Sequence, residues 1–167
     1  TGQRLEMVDE ALAADNASGT RLPWEEVRDW FHFANNYVDP IDRAAEMLAL
    51  CVDEGTLSPT AAVLEQHLTE GYSVSVRYEG GHGLRAFDAE MRHLLIDPAQ
   101  PPETRRFQLA HQLAALALKD EIATVVTAAT LRSAAARQLL FVGLCNYAAS
   151  AIVMPYLAFR HKARALR

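Results

Sequence analysis

Two long stretches of this chain are apolar on almost every side, and they limit what it can fold into. Glu103 to Leu118 carries Phe107, Leu109, Ala110, Leu113, Leu116 and Leu118 with no consistently polar face, and a second run extends from about Leu131 to Val153. A helix without a polar face must be surrounded by protein or by lipid. The most apolar part, Leu139 to Phe159, contains Asn146, Ser150 and Pro155 and lacks the roughly 18 uninterrupted apolar residues that a bilayer requires. Both stretches therefore read as core helices, the second turning at Met154-Pro155.

The remaining segments are what such helices need as cover. Leu5, Val8 and Leu12 have helical spacing before the break at Asp15 to Gly19, so residues 1–20 read as a helix and linker. Pro23 opens a helix at the favoured first position, followed by Glu25 and Glu26 where the helix dipole favours negative charge. Its apolar face holds Trp24, Val27, Trp30 and Phe31. Asn35 to Pro40 interrupts or bends that helix, Ile41 to Val52 continues with apolar spacing until Gly55, and Ser58-Pro59 starts another helix that ends near Gly71. The period then changes to two: Val74, Val76 and Tyr78 alternate with Ser73, Ser75 and Arg77. After the Gly80-Gly81-His82-Gly83 turn, Leu84 to Asp88 and Met91 to Ile96 read as two more strands. The expected fold is α+β, mostly helical, with a small antiparallel sheet or meander.

With 167 residues, half of them hydrophobic, the chain suits a single core. Its first residue is Thr1, and Arg160 to Arg167 still reads as helix, so residues 1–167 are expected to be one domain of a longer protein, with its core over 21–167. Sixteen basic against 21 acidic residues give a net charge of −5, which argues against a surface built to neutralise nucleic-acid phosphates. The basic end, Arg160, His161, Lys162, Arg164 and Arg167, reads as a solvated helix terminus favoured by the dipole. Cys51 and Cys145 lie in apolar helical contexts without CxxC spacing, so no disulfide framework or cysteine metal site is expected, and a reducing cytoplasm fits.

Arg105-Arg106-Phe107-Gln108-Leu109-Ala110-His111-Gln112-Leu113-Ala114-Ala115 resembles the active helix of gluzincin-like peptidases of the ImmA/IrrE type, in which H-E-x-x-H follows an arginine-phenylalanine pair. That motif works because two histidines four residues apart hold zinc from one helical face while the glutamate takes a proton from metal-bound water. Here His111 is present, but Gln112 stands where the glutamate would be and Ala115 where the second histidine would be. The resemblance places the family's third ligand, a glutamate on the later helix, at Gly143. The other histidines, His32, His67, His82, His93 and His161, form no i,i+3 or i,i+4 pair. The expectation is no catalytic residue and no metal site.

Glu25 to Phe31, Asn36-Tyr37 and Ile41-Asp42-Arg43-Ala44-Ala45-Glu46, with Gly143 to Ala151 and Met154-Pro155-Tyr156, resemble the short-chain fatty-acyl transcriptional regulators of bacteria. The resemblance runs from about Arg21 to Arg167. It implies a middle domain between a helix-turn-helix DNA-binding domain and a cysteine-rich domain with an iron–sulfur cluster, neither within this chain, and control of propionate, glyoxylate or related acyl metabolism. It also implies a peptidase cleft reused as a pocket for a short-chain acyl-coenzyme A or a related metabolite. Small residues at Gly143, Ala148, Ala149 and Ala151 would leave room for an acyl tail. His111, Asn146, Tyr147 and Tyr156 are the polar candidates, joined by Tyr37 from the Asn36-Tyr37 pair. Arg28, Arg77, Arg85 and Arg106 are the cations for phosphate. The alternatives are a residual zinc peptidase and a structural homodimerisation domain using Trp24, Trp30 and Phe31.

Overall fold

The computed structural model describes residues 21–52 and 58–154. Six helices and three strands follow in the order α1 (Pro23–Phe33), α2 (Asp39–Val52), α3 (Ala61–Tyr72), β1 (Ser75–Tyr78), β2 (Arg85–Asp88), β3 (His93–Ile96), α4 (Pro102–Ala117), α5 (Lys119–Ala128) and α6 (Ala134–Val153). The fold class is α+β, as expected. The expected helix and linker over residues 1–20, the stop at Gly55, the turn at Pro155 and the basic end fall outside the described residues.

The expected core helices are the core. Leu109 to Ala114 of α4 are buried in succession, and α6 contributes Ala136, Leu140, Leu144, Cys145, Ala148, Ala149 and Ile152. These two helices pack on each other, and α1, α2 and α5 close around α6. The 20-residue α6 is apolar and long enough by composition to cross a membrane, but its buried residues pack within the hydrophobic core.

Helix ends follow local chemistry. The Glu25 side chain accepts from the backbone N–H of Leu22 at 3.1 Å and fixes the start of α1. Buried Glu26 instead accepts from the backbone N–H of Arg132 at 2.8 Å, tying α1 to the loop before α6. The Asn35-Asn36 pair has φ of 52° and 55°, a left-handed turn that asparagine tolerates, so the chain breaks between α1 and α2 rather than bending. Trp30 and Phe31 meet edge to face with centroids 5.1 Å apart and pack against the core, so of the three aromatics proposed for dimerisation only Trp24 is exposed. The Thr60 hydroxyl accepts from the N–H of Val63 at 3.3 Å, starting α3 later than the Ser58-Pro59 signal suggested.

The sheet is mixed, not antiparallel throughout: its order is β1-β3-β2, with β1 parallel and β2 antiparallel to β3. The reason is burial. Leu94 and Ile96 are fully buried, so β3 takes the centre, and the glycine-containing segment after β1 carries the chain past it to the far edge. The tight hairpin is the one between β2 and β3, where Asp88 Oδ1 accepts from the N–H groups of Glu90 and Met91, both at 2.9 Å. Helix α5 was not foreseen. Its Thr124-Val125-Val126-Thr127 run has strand-like residues, but Asp120 and Glu121 occupy the first turn and Ile122 is fully buried.

Arg106 joins distant segments. Its Nε donates to the Pro59 carbonyl at 3.0 Å and its Nη2 to the Val153 carbonyl at 2.8 Å, while Nη2 also reaches Ser58 Oγ and Nη1 pairs with Glu103 at 3.2 Å. Ser58 Oγ donates to the same Val153 carbonyl at 2.6 Å. The end of α6 and the approach to α3 are thus held by one guanidinium. Arg106→Met is expected to cost about 3 kcal/mol in urea unfolding, because it leaves part-buried carbonyls without their charged donor; a loss under 0.5 kcal/mol would show the clamp to be dispensable.

Candidate functional site

Where α4 faces α6, His111 is 5% exposed and its Nδ1 lies 2.8 Å from Asn146 Oδ1. With the amide oxygen turned to the ring, Nδ1 carries the proton and Nε2 keeps its lone pair. Burial, together with the Arg85 cation and against the Asn146 hydrogen bond, pulls the His111 pKa down to about 4, so the ring is neutral at pH 7. Asn146 itself is exposed, so the pair sits at the mouth of the interface.

The third member comes from the sheet. Arg85 is the register partner of Ile96, and Phe87 that of Leu94, so strand alternation puts Arg85 and Phe87 on the side of the sheet that those buried residues face. Burial lowers the guanidinium's pKa, and its Nη1 is enclosed with no hydrogen-bond partner. Cys145, on α6 beside Asn146, feels the same cation, but burial pushes its thiol up to about 11 and leaves it unreactive at neutral pH.

The donor set does not fit zinc. His111 is tied through Nδ1 to an amide, while Gln112 and Ala115 offer neither a strong base nor a second imidazole. A side chain at Gly143 would begin 3.1 Å from Phe31 Cε2, so the Phe31 ring occupies the space into which a third ligand would extend. Among the described residues, no three metal-ligating side chains are grouped.

Of the residues expected to contact a ligand, the structure brings His111 and Asn146 into contact, with Arg85 near enough for its charge to act on His111. Arg77 pairs with Leu95 in register, so it lies on the opposite face of the sheet from Arg85, exposed and 3.4 Å from His93 Nε2. Arg77 and Arg85 therefore do not form one phosphate site. Arg28 is exposed, paired with Asp29 at 3.0 Å and stacked over Trp24. Tyr37 is exposed and donates to Asp39 at 2.9 Å. The Tyr147 hydroxyl accepts from the Val38 N–H at 3.3 Å and donates to Asp42 at 3.2 Å, fastening α6 to α2. Arg106 is engaged in its clamp, and Tyr156 lies outside the described residues. Sequence reasoning gave no weight to Phe31 as the group covering Gly143. A concavity of about 520 Å³ lies along α5, lined by Asp120, Ala123, Thr124, Thr127 and Ala128, and none of the expected site residues lines it.

Residues 63–167 match a family model described as the IrrE N-terminal-like domain, Peptidase_M78. The propionyl-CoA carboxylase regulator of Cereibacter sphaeroides is 35% identical over all of this chain and 35% of its own length. The HTH-type transcriptional regulator RamB of Mycobacterium tuberculosis is 33% identical over all of this chain and 36% of its own length. The chain thus spans about a third of these relatives. A solved structure of a Mycobacterium tuberculosis transcriptional regulator superposes with a TM-score of 0.79 at 30% identity, covering 87% of this chain and 45% of that one.

The His111 environment has a consequence for stability. A histidine whose pKa falls from about 6.5 unfolded to about 4 folded binds its proton more readily in the unfolded state. Its neutral form contributes fully above pH 6.5, and the contribution is lost as pH falls towards 4. Urea titrations are expected to show a loss on the order of 3 kcal/mol over that window that is missing from His111→Gln. Equal acid sensitivity in both proteins would place the effect elsewhere.

Proposed function

Because this chain belongs to the IrrE N-terminal-like domain family, we propose that it is the effector-sensing core of a cytoplasmic bacterial transcriptional regulator in which a peptidase-like cleft has become a ligand receptacle. The observation that carries the reading is the His111, Asn146 and Arg85 cluster: polar groups held at the position of peptidase chemistry, without donors for a metal. The names of the relatives support it, since one regulates propionyl-CoA carboxylase and others are HTH-type transcriptional regulators. The ligand in this proposal is a short-chain acyl-coenzyme A or a related metabolite. DNA binding belongs to a separate helix-turn-helix domain and any iron–sulfur cluster to a further domain.

The chemistry is recognition. A neutral His111 offers Nε2 as an acceptor, the exposed Asn146 amide offers donors and an acceptor at the mouth, and the apolar walls of α4 and α6 suit a short alkyl chain. Coenzyme A phosphates carry too much charge to be buried and stay outside in solvent. For the relay, a ligand must favour one arrangement of α6 over another. Asn146 lies seven residues before Val153, about 10 Å along the helix, and the Val153 carbonyl is the one held by Arg106 and Ser58. A shift of α6 at Asn146 thus reaches the clamp at its end.

Thermal denaturation with coenzyme A and its acetyl, propionyl and butyryl thioesters tests this reading. A ligand at a hundredfold excess over its Kd stabilises by about 2.7 kcal/mol, or at least about 5 °C in a chain of this size. The shift is expected to depend on acyl length and to weaken in Asn146→Ala, at the exposed polar group of the site. Absence of any shift at millimolar thioester would remove the ligand assignment, and one equivalent of tightly held zinc in the purified protein would restore the peptidase reading.

A further inference from the structure

Arg85 presents a problem that the acyl-coenzyme A reading leaves open. It faces the buried side of an edge strand, opposite Ile96 and alongside Phe87, where alternation would normally place an apolar residue. Its Nη1 is shut away from solvent, yet no donor-acceptor contact satisfies it, and among the described residues no carboxylate forms an ion pair with it. Buried polar groups are nearly always paired, and an uncompensated buried cation costs several kcal/mol. Arg85 is partly buried overall, but its enclosed Nη1, near enough to His111 for the charge to act on the ring, calls for an oxygen partner, and an anionic one matches the charge.

We propose that Arg85 anchors a single carboxylate carried by the ligand into the cleft between β2, α4 and α6, with Asn146 at the entrance and the His111 ring alongside. Charge selects the carboxylate over a phosphate. Both neighbouring titratable groups are uncharged at neutral pH, His111 because its pKa is depressed and Cys145 because its pKa is raised, so the cluster carries one positive charge. A carboxylate cancels that charge, whereas a phosphate dianion would leave a buried net negative. A guanidinium also matches a carboxylate with two parallel hydrogen bonds. The carboxylate is either a free short-chain acid or the far end of a carboxyacyl thioester. This inference rests on the cleft being a receptacle, as proposed above.

The test is thermal denaturation of the 167-residue chain with acetate, propionate or butyrate, with inorganic phosphate at matched ionic strength, and with succinyl-coenzyme A against butyryl-coenzyme A. At least one carboxylate series is expected to raise Tm by about 3 °C or more while phosphate does not. A shift with the free acids identifies them as the source, and a shift confined to succinyl-coenzyme A identifies the thioester. Arg85→Met is expected to raise the Tm of the unliganded protein, because it removes an unpaired charge, and to abolish the carboxylate shift. Should Arg85→Met fail to fold, the arginine Nε–Hε resonances of the wild-type chain decide: one must move with carboxylate and stay put with phosphate. No carboxylate shift, or an equal shift in Arg85→Met, overturns the proposal, and the orphan N–H then holds only water. Stabilisation by butyryl-coenzyme A without any carboxylate effect would defeat this inference and leave the sensor reading intact; the converse would defeat the acyl-coenzyme A assignment alone.

Discussion

The contact between α4 and α6 is the constraint on which the rest of the molecule depends. Ala110 and Ala114 on one helix and Ala148 and Ala149 on the other are fully buried, and such small side chains let two backbones approach closely. Close approach brings His111 Nδ1 to within 2.8 Å of Asn146 Oδ1. The sheet and the outer helices then cover what two apolar helices cannot cover for each other. Arg106 completes the arrangement by tying the far end of α6 to the segment that begins α3.

In the proposed reading, the difference from a zinc peptidase is a matter of a few atoms. Zinc hydrolysis needs two imidazoles and a carboxylate around one ion with a base beside it. This chain retains one imidazole, which is turned by an amide, and the position of a third ligand is covered by an aromatic ring from α1. Backbone geometry survives such changes because the helices are held by their apolar residues rather than by the metal. A fold stabilised in this way can exchange catalysis for recognition, since function resides in the site and not in the architecture.

The same reasoning separates structural from recognition roles among the polar residues. Tyr147 and Glu26 each satisfy a backbone N–H on another element, and Arg106 satisfies several acceptors, so these groups are spent on holding the fold. Arg85 is different, because its environment penalises the charge and nothing repays it. Residues kept at an energetic cost are where a protein's function is to be sought.

The linear sequence determined the α+β class and the two core helices, because both follow from side-chain chemistry at fixed spacing, apolar periodicity for burial and alternation for strands; it also shows glutamine and alanine, without a strong base or a second imidazole, at Gln112 and Ala115. Arg85 alternates with Phe87, but which side of β2 is buried follows only from its pairing with β3. Strand pairing was not legible, because β1 and β3 are joined across an intervening strand and nothing local specifies that parallel contact. Helix α5 was hidden by threonine and valine, whose weak preference was overridden by packing of Ile122. Only the tertiary structure decided that Arg77 and Arg85 lie on opposite faces of the sheet, that Phe31 covers Gly143, and that Arg106 is a clamp. Each of these is a relation between residues far apart in the chain, and side-chain identity at one position cannot encode which distant atom will stand beside it.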